Sequence, residues 1–256
     1  MDHDKSALYR QPTPERDWIM PPTRGLDQRP VNREPTRRTG EAPGRYLEPL
    51  AKKLLETYQL DVPRSCWADS AEQAIRFARI IGYPVVAKVV SPAIWCKTHR
   101  GGVVTEIDGD RALRAAFDRL SRFPRFYGVL VEEYIKDGLF LNVAVIRLDG
   151  GGAPEVYLER CAGHPEPPRC RYFQFNKTDT DRVRAELAAL GVVLRGRPTD
   201  GQVLNEAEFN RMLTGIVRIV VDSGTGVKAV NLHPVACTPS RCVVLDARIS
   251  LGATAS

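Results

Sequence analysis

Apolar residues recur along this sequence in two ways, one at helical spacing and one almost without interruption. Residues 47–60, LEPLAKKLLETYQL, put Leu47, Leu50, Leu54 and Leu55 on one helical face, and Asp61, Pro63 and Arg64 end the run. The next helix has two overlapping start signals, since Asp69 with Glu72 and Ser70 with Gln73 both have capping-box spacing. Ala71, Ala74, Ile75, Ala78 and Ile81 supply its apolar stripe; Gly82 sits at the expected left-handed cap, and Pro84 prevents continuation. PVVAKVV at 84–90 then reads as a buried strand, almost continuously β-branched, and GVVTEI at 102–107 as another. A helix is expected from about 109 to 121. GVLVEEYI at 128–135 and FLNVAVIRL at 140–148 follow as strands, expected to pair antiparallel across a turn at Lys136, Asp137 and Gly138. VYLERCA at 156–162 adds a third.

A helix near 180–190, a polar loop RGRPTDG, a longer helix over about 205–221, and strands near 226–231 and 241–247 complete the pattern. No internal repeat is visible. Alternating helices and strands followed by a hairpin-rich middle indicate an α+β fold with two lobes, divided as 46–134 and 135–256. Residues 1–45 differ from the rest: Pro12, Pro14, Pro21, Pro22, Pro30, Pro35 and Pro43 break a segment rich in arginine and poor in aliphatics. Such a stretch buries too little apolar surface to offset its ordering entropy. It reads either as a disordered tail or as an extended arm that wraps a partner, with Trp18, Ile19 and Met20 as anchors.

Composition narrows the class. With 256 residues, 43% hydrophobic and 27% charged, the chain has the make-up of an ordinary soluble globular protein. No stretch approaches the roughly 18–20 apolar residues of a membrane span. The start has no apolar signal core and carries early acids, so a cytoplasmic location is expected. A net charge of +6 suits anionic small molecules, and because bases and acids are interspersed, nucleic acid is not expected as a partner. The six cysteines do not make a disulfide framework. Cys161, His164 and Cys170 could form a metal cluster with His233, Cys237 or Cys242, but the spacing matches no strong zinc pattern, and isolated buried thiols are the plainer reading.

Three places carry candidate chemistry. Lys88 lies inside an apolar strand, where its ammonium needs an anionic partner, either a phosphate oxygen or a carboxylate. Lys97-Thr98-His99-Arg100-Gly101-Gly102 precedes a strand, and its paired glycines would let backbone approach a phosphate closely or serve a tight hairpin. In LDARI, Asp246 is expected within an apolar strand, paired with a cation or holding a metal, with Arg248 facing the same side. No Ser/His/Asp or Cys/His nucleophile arrangement and no Walker-type glycine loop is readable.

Taken in order, these segments resemble the ATP-grasp domain of NDP-forming acyl-CoA synthetases, the group that includes acetate–CoA ligase and the succinyl-CoA synthetase β subunit. The resemblance runs from about Leu47 to Leu251. GYPVVAKVVSPAIWCKTHRGGVV at Gly82–Val104 resembles the family's GYPVVLK-SP-HKSD-GGV signature, and LVEEYI at 130–135 its LVQEM hinge strand. RGRPTD at 195–200 matches an RG-x-P-x-D element, and VNLHPVACTPSRCVVLDARI at 230–249 resembles the LDINP…LDARI ending.

The resemblance implies an ATP-grasp fold with a nucleotide cleft between two lobes, and ATP and Mg2+ as cofactors. By it, Lys88 would bind ATP phosphate, the backbone near Glu133 and Tyr134 would hold adenine, and the loop Lys97–Gly102 would lie over the phosphates. Lys97, Gly101 and Gly102 are then cofactor-binding candidates. Asp246 and His233 are metal-site candidates, and Lys88 and Arg248 catalytic ones. Family chemistry activates a carboxylate as an acyl phosphate and makes its CoA thioester, with phosphate relayed through a phosphohistidine. A separate CoA-binding module is expected on a partner subunit.

Several positions depart from the family pattern. Cys96 stands where the relay-associated histidine is expected, with His99 three residues on; His233 replaces the Asn of the INP element, and Phe140 an acidic residue of the hinge hairpin. The glycine-rich GLGG segment is replaced by ERCAGHPEPPRC. Two functions stay open on the sequence: an ATP-binding subunit of an ATP-dependent acid–thiol ligase, or a subunit that keeps the fold without the catalysis and docks through its N-terminal arm.

Overall fold

The computed structural model describes residues 44–94, 97–148, 150–161, 170–175, 180–192, 204–224 and 226–252. The arm expected over 1–45, but for its last two residues, lies outside them, as do Trp18, Ile19, Met20, Cys96, His164 and the RGRPTD loop. The described residues form five helices and ten strands in two compact units.

One unit is residues 63–135. Its sheet has the antiparallel order β1-β4-β2-β3, with β1 at Ser65–Ala68, β2 at Val85–Val90, β3 at Val103–Ile107 and β4 at Gly128–Glu133. Helices α2 (Ala71–Ile81) and α3 (Asp110–Leu120) pack on one face. Their residues Ala74, Ile75, Ala78, Leu113, Phe117 and Leu120 share a core with Val85, Ala87, Val89, Val129 and Val131. The alternate residues Val86, Lys88, Val90 and Leu130 are buried on the opposite face. Burial on both faces is why β2 reads as a continuous apolar run. The expected start of α2 is present: Ser70 Oγ accepts from Gln73 N at 3.4 Å, and Gln73 Oε1 accepts from Asp69 N at 2.9 Å.

The other unit takes residues 44–62 and 136–252. Its sheet runs β10-β8-β5-β6-β7, with β9 also paired to β8. The strands are β5 (Leu139–Ile146), β6 (Glu155–Arg160), β7 (Cys170–Gln174), β8 (Val227–Cys237), β9 (Cys242–Val244) and β10 (Ala247–Leu251). Helices α1 (Glu48–Thr57), α4 (Thr180–Ala189) and α5 (Glu206–Asp222) complete it. Ala51, Leu55, Val183, Leu187, Phe209, Leu213, Ile216 and Val220 from the helices share a core with Leu141, Val143, Val156, Leu158, Val230, Leu232 and Ile249.

The structure corrects four expectations. The segments 128–135 and 140–148 do not pair with each other. Both edges of β4 are taken by β1 and β2, and both edges of β5 by β6 and β8. Helix α1, placed by its position in sequence within a first lobe over 46–134, belongs to the second unit. Ala51 and Leu55 enter that unit's core, and Tyr46 N donates to Ile249 O at 3.0 Å.

The face α1 buries is centred on Glu48, Ala51, Lys52 and Leu55 rather than on Leu50 and Leu54. Asp246 is not inside a strand: it occupies the break between β9 and β10. The break falls where the partner strand β8 passes through Pro234, which has no N–H to donate to a ladder. Strands β1 and β7 have no counterpart among the elements expected from periodicity. No helix among the described residues is long and apolar enough to cross a membrane.

Candidate functional site

In the first unit, Lys88 is held by a carboxylate. The antiparallel register sets Lys88 opposite Leu130 and Val86 opposite Glu132, so Lys88 and Glu132 are diagonal neighbours on the face turned away from α2 and α3. Lys88 Nζ lies 2.7 Å from Glu132 Oε2, and the two side chains are only 5% and 2% exposed. One of the two kinds of partner open on the sequence, a carboxylate, is thus within reach of the ammonium. Glu132, not Glu133, supplies it.

Glu133 ends β4. Its backbone N–H donates to Arg64 O at 3.0 Å, and its carboxylate accepts from Arg64 Nε at 3.1 Å. Tyr134 Oη donates to Glu106 Oε1 at 2.7 Å.

The loop at 97–102 is closed by its own backbone. Lys97 O accepts from Gly102 N at 2.7 Å and from Arg100 N at 3.2 Å, and Thr98 O accepts from Gly101 N at 3.2 Å. Gly101 has φ +70°, which favours glycine. A Cβ on Gly102 would come within 2.8 Å of Val89 Cγ1 and 3.2 Å of Lys97 O. Both glycines therefore have a local steric reason. Lys97 is buried, whereas His99 and Arg100 are exposed.

In the second unit, the sheet face away from the shared core holds a cluster of polar side chains. It carries Asn142 of β5, Glu159 of β6, Asn231 and His233 of β8, and Arg248 of β10. Asn142 and Glu159 are register partners, and Asn142 Nδ2 donates to Glu159 Oε2 at 2.9 Å. Cys161 Sγ donates to Asn142 Oδ1 at 3.1 Å. The β5–β8 register shifts at Asn142, bringing His233 and Pro234 opposite it. Asn231 pairs with Arg248, and Arg248 Nη2 stands 3.7 Å from Asp246 Oδ2. His233 N donates to Asp246 O at 2.9 Å, and Lys52 Nζ donates to Leu245 O at 2.7 Å. Phe140 is buried on the same face, its carbonyl accepting from Cys161 N at 3.0 Å.

The electrostatics follow from burial. His233 is held down to about 4, first because burial disfavours the imidazolium and second because the Arg248 guanidinium repels it; Asp246 opposes the shift. His233 is therefore neutral at neutral pH. Burial, and then the Glu159 carboxylate, push the Cys161 thiol up.

The donor set fits a divalent cation only in part. Asp246 offers the oxygen that Mg2+ prefers, whereas the His233 imidazole is a poor Mg2+ donor. No group of three or more His, Cys, Asp or Glu able to hold a metal ion occurs among the described residues. Any Mg2+ at Asp246 would draw most of its ligands from phosphate oxygens and water.

The structure thus groups Asp246, His233 and Arg248 in one unit, and places Lys88, Lys97, Gly101, Gly102, Glu133 and Tyr134 in the other. Sequence reasoning missed Lys52, Glu132, Asn142 and Glu159. Asn142 was findable by the argument that singled out Lys88, since it is the one polar group in the apolar strand β5; Glu159 shares β6 with Glu155 and Arg160 and was less exposed to that argument; Lys52 has a partner at i−4 in Glu48. Glu132 is harder, because in LVEEYI either acid could face inward.

Comparison with known proteins agrees with this architecture. The β subunit of ADP-forming acetate–CoA ligase I from Pyrococcus furiosus is 37% identical over 108 residues, 40% of this chain and 47% of that one. The β subunit of ADP-forming acetate–CoA ligase II from the same organism is 26% identical over 226 residues, 80% of this chain and 91% of that one. Against other relatives the chain spans much less, 30% of the ADP-forming acetate–CoA ligase II of Archaeoglobus fulgidus. Among solved structures, the dinucleotide-forming acetyl-coenzyme A synthetase 1 of Ca. Korarchaeum cryptofilum superposes with a TM-score of 0.70 at 27% identity, covering 82% of this chain and 94% of that one. That protein was solved with coenzyme A and Ca-AMPCP. The ATP-grasp domain family model matches residues 40–251, and the chain belongs to that family.

Proposed function

We propose that this chain is the nucleotide-binding subunit of an ADP-forming acyl-CoA synthetase, taking part in ATP-dependent activation of a carboxylate in the cytoplasm. The observation that carries the reading is the match to a complete β subunit of such a ligase, spanning 91% of it. The buried Lys88 and the Asp246–Arg248 pair support it, because Lys88 and Arg248 lie on strands, where a charge is placed with little freedom to move away.

In this reading Lys88 binds a nucleotide phosphate, and the backbone of Lys97, Gly101 and Gly102 approaches the phosphate chain. The backbone at Glu133 and Tyr134 receives the base. Asp246 accepts the divalent cation, and Arg248 offers its planar donor fork to phosphate oxygens beside it. His233, neutral at neutral pH, adds no charge there. ATP, when bound, supplies the phosphoryl group that makes the carboxylate reactive. The subunit names of the relatives imply a partner subunit, and in this reading that partner carries the CoA-binding module.

Calorimetric titration with ATP, with and without Mg2+, tests the reading. Mg2+-dependent binding is expected, weakened about tenfold or more by Lys88→Met or Asp246→Asn. No binding by the native chain, or unchanged binding in both variants, would overturn it. Release of ADP and phosphate on adding Mg-ATP, CoA and an acid to the co-purified complex separates a working ligase subunit from a non-catalytic one.

A further inference from the structure

The Lys88–Glu132 pair bears on how strongly an anion can bind at Lys88. At 2.7 Å, and with both side chains almost fully buried, the Glu132 carboxylate already neutralises the ammonium on the sheet face away from the helices. A phosphate oxygen arriving at Lys88 gains less than it would from an uncompensated ammonium, and it meets repulsion from a carboxylate one hydrogen bond away. Neither group can relieve this by swinging into water. Each is fixed by a central strand of the sheet, β2 and β4, and the two strands pair along their whole length.

We infer that Glu132 is an internal counter-ion that sets the affinity of Lys88 for nucleotide phosphate, so that the ligand must share the ammonium with a carboxylate to bind. The inference rests on the reading of Lys88 as a phosphate-binding residue. It makes Glu132 a positioning and affinity-setting residue acting through Lys88. Its sign is the opposite of what a purely structural ion pair predicts: removing the charge while keeping the shape strengthens binding. The substitution Glu132→Gln retains the volume and an oxygen that accepts from Lys88 Nζ, and loses only the negative charge.

The experiment is a double-mutant cycle on the full chain, titrated with Mg-ATP by calorimetry: native protein, Glu132→Gln, Lys88→Met, and the two combined. Glu132→Gln is expected to bind about tenfold more tightly than the native chain, and the gain is expected to vanish when Lys88→Met is added. Binding by Glu132→Gln that is equal to or weaker than native, with Lys88→Met still weakening the native chain, overturns the inference and leaves the functional reading intact. A gain that persists without Lys88 also overturns it. If no form binds nucleotide, both fall. If only Glu132→Gln binds, the counter-ion role is supported in its strongest form.

Should Glu132→Gln not fold, Glu132→Ser provides a second uncharged variant, and the same criterion applies. If neither folds, the carboxylate is needed to hold the sheet together, which counts against its being an affinity setter.

Discussion

Lys52 Nζ donates to the carbonyl oxygen of Leu245 at 2.7 Å, tying α1 to the residue that precedes Asp246 across 193 positions of sequence. The same ammonium lies 3.0 Å from Glu48 Oε1, one turn back along the helix, and both side chains are almost completely buried. Removing one member of a buried pair leaves its partner uncompensated, at a cost of about 3–5 kcal/mol. Lys52→Met is therefore expected to lower the urea midpoint markedly. Adding Glu48→Gln should recover much of the loss, because it removes the stranded charge. A single variant as stable as the native chain would show that the pair does not hold α1 in place.

His233 gives a pH dependence of definite sign. Its folded value of about 4 lies below the ordinary 6.5, so between those values the unfolded chain takes up a proton that the folded one refuses. Its contribution is intact above about pH 6.5 and falls away as the pH drops toward 4, up to about 3 kcal/mol in all. Denaturation midpoints measured from pH 7 to pH 4 should fall more steeply for the native chain than for His233→Asn, which has no imidazole to protonate. Parallel curves would mean that the half-buried imidazole is not kept neutral by its surroundings in the folded chain.

Gly102 is a test of the loop before β3. With an added Cβ only 2.8 Å from Val89 Cγ1 and tight, at 3.2 Å, against Lys97 O, Gly102→Ala is expected to destabilise by about 1–3 kcal/mol. Thr98, whose side chain is not part of that contact, provides the control: Thr98→Ala should stay within about 0.5 kcal/mol. Thermal unfolding of the two variants decides the matter.

The half-buried Cys161 and the fully buried Cys237 should both be slow to react. Burial pushes both Cys161 and Cys237 up, and Glu159 adds to the effect at Cys161. Little thiolate is then present at pH 8 to attack an alkylating reagent. Peptide mapping after iodoacetamide treatment should find these two unmodified in the folded chain and modified once it is unfolded. Rapid labelling of Cys237 in the native state would contradict its place in the core.

Much of the fold was legible because local rules carry it. The capping signals at Ser70 and Gln73 start α2, and the β-branched run around Lys88 is β2. The candidate site residues were legible only as positions in need of a partner, since a lysine or aspartate in an apolar run announces that need. Which partner was not legible. Whether Lys88 meets Glu132 or Glu133 depends on the β2–β4 register, and a shift of one residue would reverse the choice. The expected hairpin at 136–138 failed for a related reason: two consecutive apolar strands look the same whether they pair with each other or with strands elsewhere.

The sequence by itself determined all the helices and most of the strands, their order, the resemblance to the ATP-grasp family, and the need for counter-charges at Lys88 and Asp246. These follow from periodicity, capping and the cost of burying a charge, all of which act over a few residues. Only the tertiary structure decided that α1 packs with the C-terminal unit, that Lys88 is held by Glu132, and that Asn142, Glu159, His233 and Arg248 share one sheet face. Those outcomes turn on pairings between strands distant in sequence, and the free energy that selects among them appears only when whole faces are buried together.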